Sequence, residues 1–528
     1  MPKRHSDAKL AHFKSKCQKL SAENRYLKQR LKEVTSSCAL QKGKFKRLQA
    51  SKTVQNGSSL RVTGSCGREA ISRHKYSSTL VSLCLSLYII AGCSFRGVSR
   101  VLGCLKSEYG VIKGAIPSKS SIENWVQKLG YYQYTHYGTD LYEGDYCLIV
   151  DECMVIGQER LMVVLGIEAE KKGCEATVMR EVRLLAMAVK KSWKAEDVQD
   201  LLEQVQTKIG KKALYIICDG GNNLTKGAKL FDLTRICDVG HEIAKCVEHT
   251  YKEDEVFKAF LKDMAGLKFR EVMKETAYLL PPKQRTIARF MNLSAGVRWA
   301  QQLLQAMPKL TPIEQQTFAC LTAYKSLIEE LSEVFDMVNT ILKLLKNEGI
   351  SFGNIDKCIE ICKKQAMKTP KRIAEKTADK NRESRLEKLT QKVSQYLSKE
   401  RIKIPDALTI WHASSDVIES LFGKYKSCKA DNPLYGVTPL VLSLCVHTHW
   451  DDDNEVRKQD IQNALQSVSM ANLGLWKSKY LIENQVVRRK NARKMKELFE
   501  TLDSLPYGIR ESSVSFIFLP KCHPYGIL

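Results

Sequence analysis

No apolar run in this chain can span a bilayer: the longest, Leu80 to Ala91, falls well short of the roughly 20 residues a spanning helix needs. It reads as a core helix, and no membrane partner is expected. No apolar stretch precedes the first charges of MPKRHSDAKLAHFKSK, so no secretory signal is expected and the protein should remain inside the cell. None of the 18 cysteines forms a C-x-x-C pair. Cys84, Cys147, Cys218 and Cys445 lie inside apolar segments and read as reduced core thiols. Cys358 with Cys362, and His447 with His449, lack a second half at zinc-ligand spacing, so no structural zinc is expected. Acid is also in short supply. Lys and Arg number 84 against 58 Asp and Glu, leaving +26 and a pI near 9.3. That balance favours a polyanionic partner, and nucleic acid fits better than a membrane surface.

At 528 residues the chain has room for several cores, since domains average about 150 residues. Residues 1–36 carry a heptad in which Leu10, Cys17, Asn24 and Leu31 take the a positions and Phe13, Leu20, Leu27 and Val34 the d positions. An Asn at one a position pairs best with its own copy. Asn24, Leu20, Leu27 and Leu31 are therefore candidate dimerisation residues of a parallel coiled coil, and a homodimer or higher homo-oligomer is expected. Residues 37–76 are rich in Ser, Gly and Lys and read as a basic linker. Over 77–132, two helices follow, the first capped at Ser94 and the second entered through Pro117 with Ser120 or Ser121 as cap. The pair resembles a helix-turn-helix, whose second helix would offer Ser118, Lys119 and Asn124 to a major groove.

From Gly144 the period becomes that of strands. DYCLIVDECMVIG, ERLMVVLGIEA and ATVMREVRLLAMAV suit an antiparallel meander. KAEDVQDLLEQVQTKIG reads as a helix, and KKALYIICDGGNN as a buried strand ending at Asp219. A short strand then ends at Asp238 and runs into a helix bearing His241. Residues 252–402 show successive helical patterns, including a strongly basic stretch, Lys363 to Arg385, that reads as solvated. LTIWHASSDVIESLFGKYKSC resumes with a helix carrying Glu419, and a basic tail occupies 476–528.

Three carboxylates stand out by context: Asp151 and Asp219 at strand ends and Glu419 on a late helix. A carboxylate at the mouth of an apolar strand is costly unless compensated. Magnesium takes oxygen ligands and keeps several waters, which suits a few acids drawn from different elements. Two such ions about 3.5–4 Å apart activate the attacking oxygen and stabilise the leaving one in phosphodiester chemistry. Glu152 should point to the opposite face from Asp151 by strand alternation. Lys426, seven residues past Glu419 and on its face of the helix, is a candidate contact to a DNA phosphate, as is Lys424.

This order of elements, with Asp151 in LIVDECM, Asp219 in IICDGGNN and Glu419 in SSDVIESLFGKYK, resembles the catalytic domain of DDE transposases. Asp238 and His241 in CDVGH match the Cys or Asp, two residues, then His found after the second acid in several transposase superfamilies. Lys426 matches the Lys of the Tyr-Arg-Glu-Lys signature of a bacterial insertion-sequence group, whereas His412 and Ser415 stand where its Tyr and Arg would be. The resemblance spans about residues 77–450. It implies a multidomain α/β protein, with a ribonuclease-H-like mixed sheet (140–251 and 403–475) interrupted by an all-helical insertion (252–402). The coiled coil and the helix-turn-helix region would precede that core. It further implies that Asp151, Asp219 and Glu419 hold two Mg²⁺ or Mn²⁺ ions, with Asp238 and His241 beside them. The activity implied is cutting of double-stranded DNA at element ends and joining of the 3′-hydroxyl to target DNA, in a bacterial cytoplasm. A domesticated or inactive DNA-binding regulator, or a nuclease that cuts without joining, are the rival expectations.

Overall fold

A computed structural model describes residues 62–63, 71, 74–138, 141–155, 159–282, 293–373, 380–428, 436–483 and 485–493. The expected coiled coil of 1–36, with Leu20, Asn24, Leu27 and Leu31, lies outside them, as do most of the linker and the tail beyond residue 493. The chain forms two compact units, residues 1–64 with 102–115, and residues 65–101 with 116–528. In the first, β1 (Val62–Thr63) pairs in parallel with β2 (Ile112–Lys113).

The second unit opens with α1 (Ser78–Ile89), where Ser77 accepts a hydrogen bond from the Leu80 amide as N-cap. The start of α2 (Phe95–Ser107) follows, with Ser94 accepting from the Gly97 amide at 3.1 Å. The next helix, α3 (Lys119–Thr135), is capped by Ser118, which accepts from the Ser121 amide, and not by Ser120 or Ser121. Ile122, Trp125, Val126, Leu129, Gly130 and Gln133 bury this helix on several sides. A Cβ at Gly130 would collide with the Leu442 carbonyl oxygen, so the close approach itself requires glycine. Thus α3 packs in the core along most of its length; near its beginning Lys119 is exposed and Asn124 half-buried, and Thr135 is exposed at its end.

A five-stranded mixed sheet follows: β3 (Tyr146–Val155), β4 (Glu159–Glu168), β5 (Arg183–Lys190), then α4 (Ala195–Ile209), β6 (Tyr215–Cys218), α5 (Asn222–Leu230) and β7 (Thr234–Cys237), leading into α6 (Val239–Tyr251). The strand order is β5-β4-β3-β6-β7. The first three strands pair antiparallel, while β3, β6 and β7 run parallel. The third expected run begins later than its apolar pattern, because Met179–Glu181 form a 3₁₀ turn. Alternation assigns the faces. Leu148, Val150, Ile216 and Cys218 form a core with Val198, Leu202 and Val205 of α4 and Leu224 and Ala228 of α5. Asp151, one residue on, therefore faces the other side of the sheet; expected at a strand end, it is an interior residue of β3, because pairing with β4 carries the strand on to Val155 opposite Glu159.

Residues 252–402 contribute α7 (Glu255–Glu271), α8 (Leu293–Ala306), α9 (Pro312–Phe318), α10 (Lys325–Glu348), α11 (Phe352–Ile373) and α12 (Lys380–Arg401). Arg385 is not solvated as its basic surroundings suggest. Its guanidinium holds Glu330 through two nitrogens, at 2.7 and 3.1 Å, and Asp254 at 2.6 Å, while Tyr251 donates to Glu330 at 2.7 Å. This network ties the end of α6 to α10 and α12. The chain then returns to the sheet through α13 (Asp416–Cys428), α14 (Ser443–Thr448), α15 (Asn454–Ser467) and α16 (Met470–Tyr480). Cys84, Cys147, Cys218 and Cys445 are buried free thiols. Among the described residues no helix is long and apolar enough to cross a membrane.

Candidate active site

The parallel register aligns Val150 with Cys218 and Cys218 with Cys237. Each is followed by an acid, so Asp151, Asp219 and Asp238 form one row across three neighbouring strands, which lie about 4.8 Å apart. Their surroundings then separate them. Asp151 accepts from the Glu152 amide at 2.7 Å, and Asp219 accepts from the Gly221 amide at 2.8 Å. Burial pushes the Asp151 carboxyl up to about 7, with the negative charges of Asp219 and Glu419 adding to the rise and the His241 charge opposing it. Glu152 pairs with Arg160 at 2.7 Å, on the face opposite Asp151.

Asp238 has a different fate. It is 1% exposed and serves as N-cap of α6, its Oδ1 accepting from the His241 amide at 2.7 Å and facing His241 Nδ1 at 2.9 Å. Its Oδ2 accepts from the Ser415 amide at 2.7 Å and the Ser415 hydroxyl at 2.9 Å. Burial alone would raise this carboxyl, but the bonds from His241 and Ser415 outweigh it and hold Asp238 at about 2. The bond to Asp238 raises His241 to about 9, against the opposing effect of burial. The imidazole is therefore charged at neutral pH. Its Nε2 lies 3.9 Å from Glu419 Oε1.

Glu419 reaches this face because the segment before α13 is fastened to the sheet. Trp411 exchanges backbone hydrogen bonds with Ile350 at 2.8 and 3.0 Å and stacks on Tyr215, with ring centroids 4.3 Å apart. The His412 amide donates to the Tyr215 hydroxyl at 2.8 Å, the Val239 amide donates to the Ala413 carbonyl at 2.9 Å, and Ser415 closes on Asp238. Val417, Ile418, Leu421, Phe422 and Tyr425 then bury one side of α13, leaving Glu419 on the open side. Burial raises Glu419 above the usual carboxylate range and the His241 charge draws it back, with the Asp416 charge contributing a smaller rise. Asp416 itself is occupied by Lys346 at 2.5 Å. His412 is buried beside Thr177, 3.1 Å from its hydroxyl, and burial lowers it to about 4.

Lys424 and Lys426 are exposed on α13, and Lys119 lies 3.9 Å from Glu123. The fold thus brings Asp151, Asp219, Glu419 and His241 to one place, with Asp238 directly behind. Sequence reasoning missed three supporting groups. Arg235 donates to the Asp219 carbonyl oxygen at 2.8 Å; Ser415 closes the bridge between α6 and α13; Lys245 extends over the Asp219–Gly221 turn, where a Cβ on Gly220 would collide with its ammonium. Of these, the Gly-Gly pair after Asp219 was the available signal, since it marks a close approach to the backbone.

Among the described residues no group of three or more His, Cys, Asp or Glu side chains forms a ready-made ligand cage. The donor chemistry nonetheless suits a hard divalent cation. Asp151, Asp219 and Glu419 supply oxygen only, and the penalised charge of Asp151 is the kind a bound cation would offset. The sequence matches no protein-family model and no curated protein.

Proposed function

We propose that the chain is a DNA transposase of the DDE type, which cuts the ends of its element and joins the freed 3′-hydroxyl to target DNA. The observation that carries this reading is that Asp151, in one row with Asp219 across adjacent parallel strands, lies within the field of both the Asp219 and the Glu419 charge. The sheet supports it as well: three antiparallel strands, a helix, a parallel strand delivering the second acid, helices, and a late helix delivering the third, the order that the transposase resemblance implies for a ribonuclease-H-like core.

Asp151, Asp219 and Glu419 would hold two Mg²⁺ or Mn²⁺ ions. Such ions supply activation of the attacking oxygen and stabilisation of the leaving one. The protein contributes position. Arg235 steadies the Asp219 carbonyl, Asp238 sets the His241 ring through Nδ1, and His241 directs Nε2 towards Glu419. No side chain serves as nucleophile; water cuts, and the 3′-hydroxyl joins. Lys119, Asn124, Lys424 and Lys426 are the proposed DNA contacts, and the heptad would pair two subunits so that two ends are processed together.

The test uses labelled duplexes of the DNA flanking the gene on either side, incubated with Mg²⁺ and target DNA. The parent protein should yield nicked and joined products, and Asp151→Asn and Glu419→Gln should lose both while remaining folded. Cutting without joining would instead favour a nuclease, and binding with neither a DNA-binding regulator. Undiminished cleavage by folded Asp151→Asn or Glu419→Gln would overturn the metal site.

A further inference from the structure

Three carboxylates beside Glu242 make a surface that repels a polyanion, so a nucleic-acid strand entering the site needs a cation close to the acids. Several nearby cations are already engaged. Arg235 is turned inward to the Asp219 carbonyl and the Cys237 sulfur, and Lys346 is held by Asp416 at the start of α13. Lys245 has a different setting. It lies one helical turn beyond His241 on α6, and helical side chains lean back toward the N-terminus, over the preceding turn. Its four-carbon stem therefore carries the ammonium to the Asp219–Gly221 turn. The contact is so close that a Cβ at position 220 would displace the ammonium.

The ammonium remains accessible, with 41% of its side chain exposed, and its ion pair is with Glu242 at 2.6 Å, three residues earlier on the same helix. Such partly exposed pairs are weak, because solvent screens them, so Glu242 holds Lys245 in place without competing strongly against a phosphate. We propose that Lys245 is a phosphate-binding residue of this site, contacting the backbone of the DNA strand that lies across Asp219. The inference rests on the DNA-cutting reading and adds to it a binding residue outside the three acids. Gly220 is its structural counterpart, the residue that lets the ammonium lie against the turn.

The test measures binding of the full chain to a fluorescein-labelled 30-base-pair duplex in EDTA, across a series of KCl concentrations. One phosphate contact contributes about 0.9 to the slope of log K against log salt. Lys245→Ala and Lys245→Gln should each lower the slope by about that amount. Their loss of affinity between 50 and 200 mM salt should then be about threefold smaller than that of the parent. Lys245→Arg should keep the parent slope. Lys172→Ala, which removes an exposed lysine paired to Glu168 at 2.6 Å, should leave the slope unchanged. If the parent binds with a steep slope and both Lys245→Ala and Lys245→Gln retain it at unchanged thermal midpoint, the assignment of Lys245 fails and the DNA reading stands. If the parent shows no salt-dependent binding, the DNA reading fails and Lys245 with it.

Discussion

Asp151 and Asp238 occupy corresponding places two strands apart, yet one is raised to about 7 and the other held at about 2. The more deeply buried of the two is the more acidic. Burial raises both; what separates them is supply of donors. Asp238 receives two amides, a hydroxyl and an imidazole, so its charge is fully compensated. Asp151 receives the neighbouring amide and faces two other acids. A satisfied carboxylate is part of the framework, whereas an unsatisfied one among like charges is a candidate for chemistry.

The largest effect that would break this comparison is removal of the Asp238 side chain. Asp238→Ala strands the buried Ser415 amide and releases His241, and losing one partner of such a buried network typically costs about 3–5 kcal/mol. Urea unfolding should register that loss; a cost below about 1 kcal/mol would show that α6 and α13 are joined by other means. Asp151→Asn should act in the opposite direction. In chelator, ionisation of Asp151 destabilises the fold as pH rises from about 4 to about 7, so the asparagine variant should gain stability over the parent in that interval and keep the gain above it. A thermal-melt series in which parent and variant stay parallel from pH 4 to 8 would contradict the raised carboxyl.

The Asp238–His241 pair carries the reverse signs at its two limits. His241, raised to about 9, stabilises fully below its ordinary value of 6.5 and loses that contribution as pH climbs through about 9. Asp238, lowered to about 2, stabilises above its ordinary 3.8 and loses that contribution as pH falls through about 2. Asp238→Asn should therefore flatten the alkaline limb of the stability profile, read by the midpoint shift between pH 7 and 10. The smallest effect belongs to Ser415→Ala, which removes one of the two bonds to Asp238 Oδ2 and should cost about 1 kcal/mol. Ser415→Thr, retaining the hydroxyl, should recover most of it.

Much of this framework was legible along the chain. Continuous apolar runs before Asp151 and Asp219 mark strands that deliver acids, and Glu152 falls on the opposite face by alternation alone; that β3 runs on past Asp151 to Val155 was not legible, because its pairing with β4 sets the strand's length. The apolar stripe of α3 was legible too, but not that Gly130 and Gln133 bury it from further directions, which leaves Lys119 and Asn124 near its start as the residues open to a partner. Arg385 sat in a basic stretch that looked solvated; its partners Glu330 and Asp254 are 55 and 131 residues away, beyond any local pattern. The part Ser415 plays was hidden for the same reason, since its partner lies 177 residues earlier.

The sequence alone marked where most strands and helices lie and that acids follow two of the apolar runs, because those follow from side-chain period and local backbone preference. Only the tertiary structure decided what each acid became. Charge and hydrogen bonding act through space, so Asp151 and Asp238 acquired opposite characters from neighbours that the chain order does not bring together.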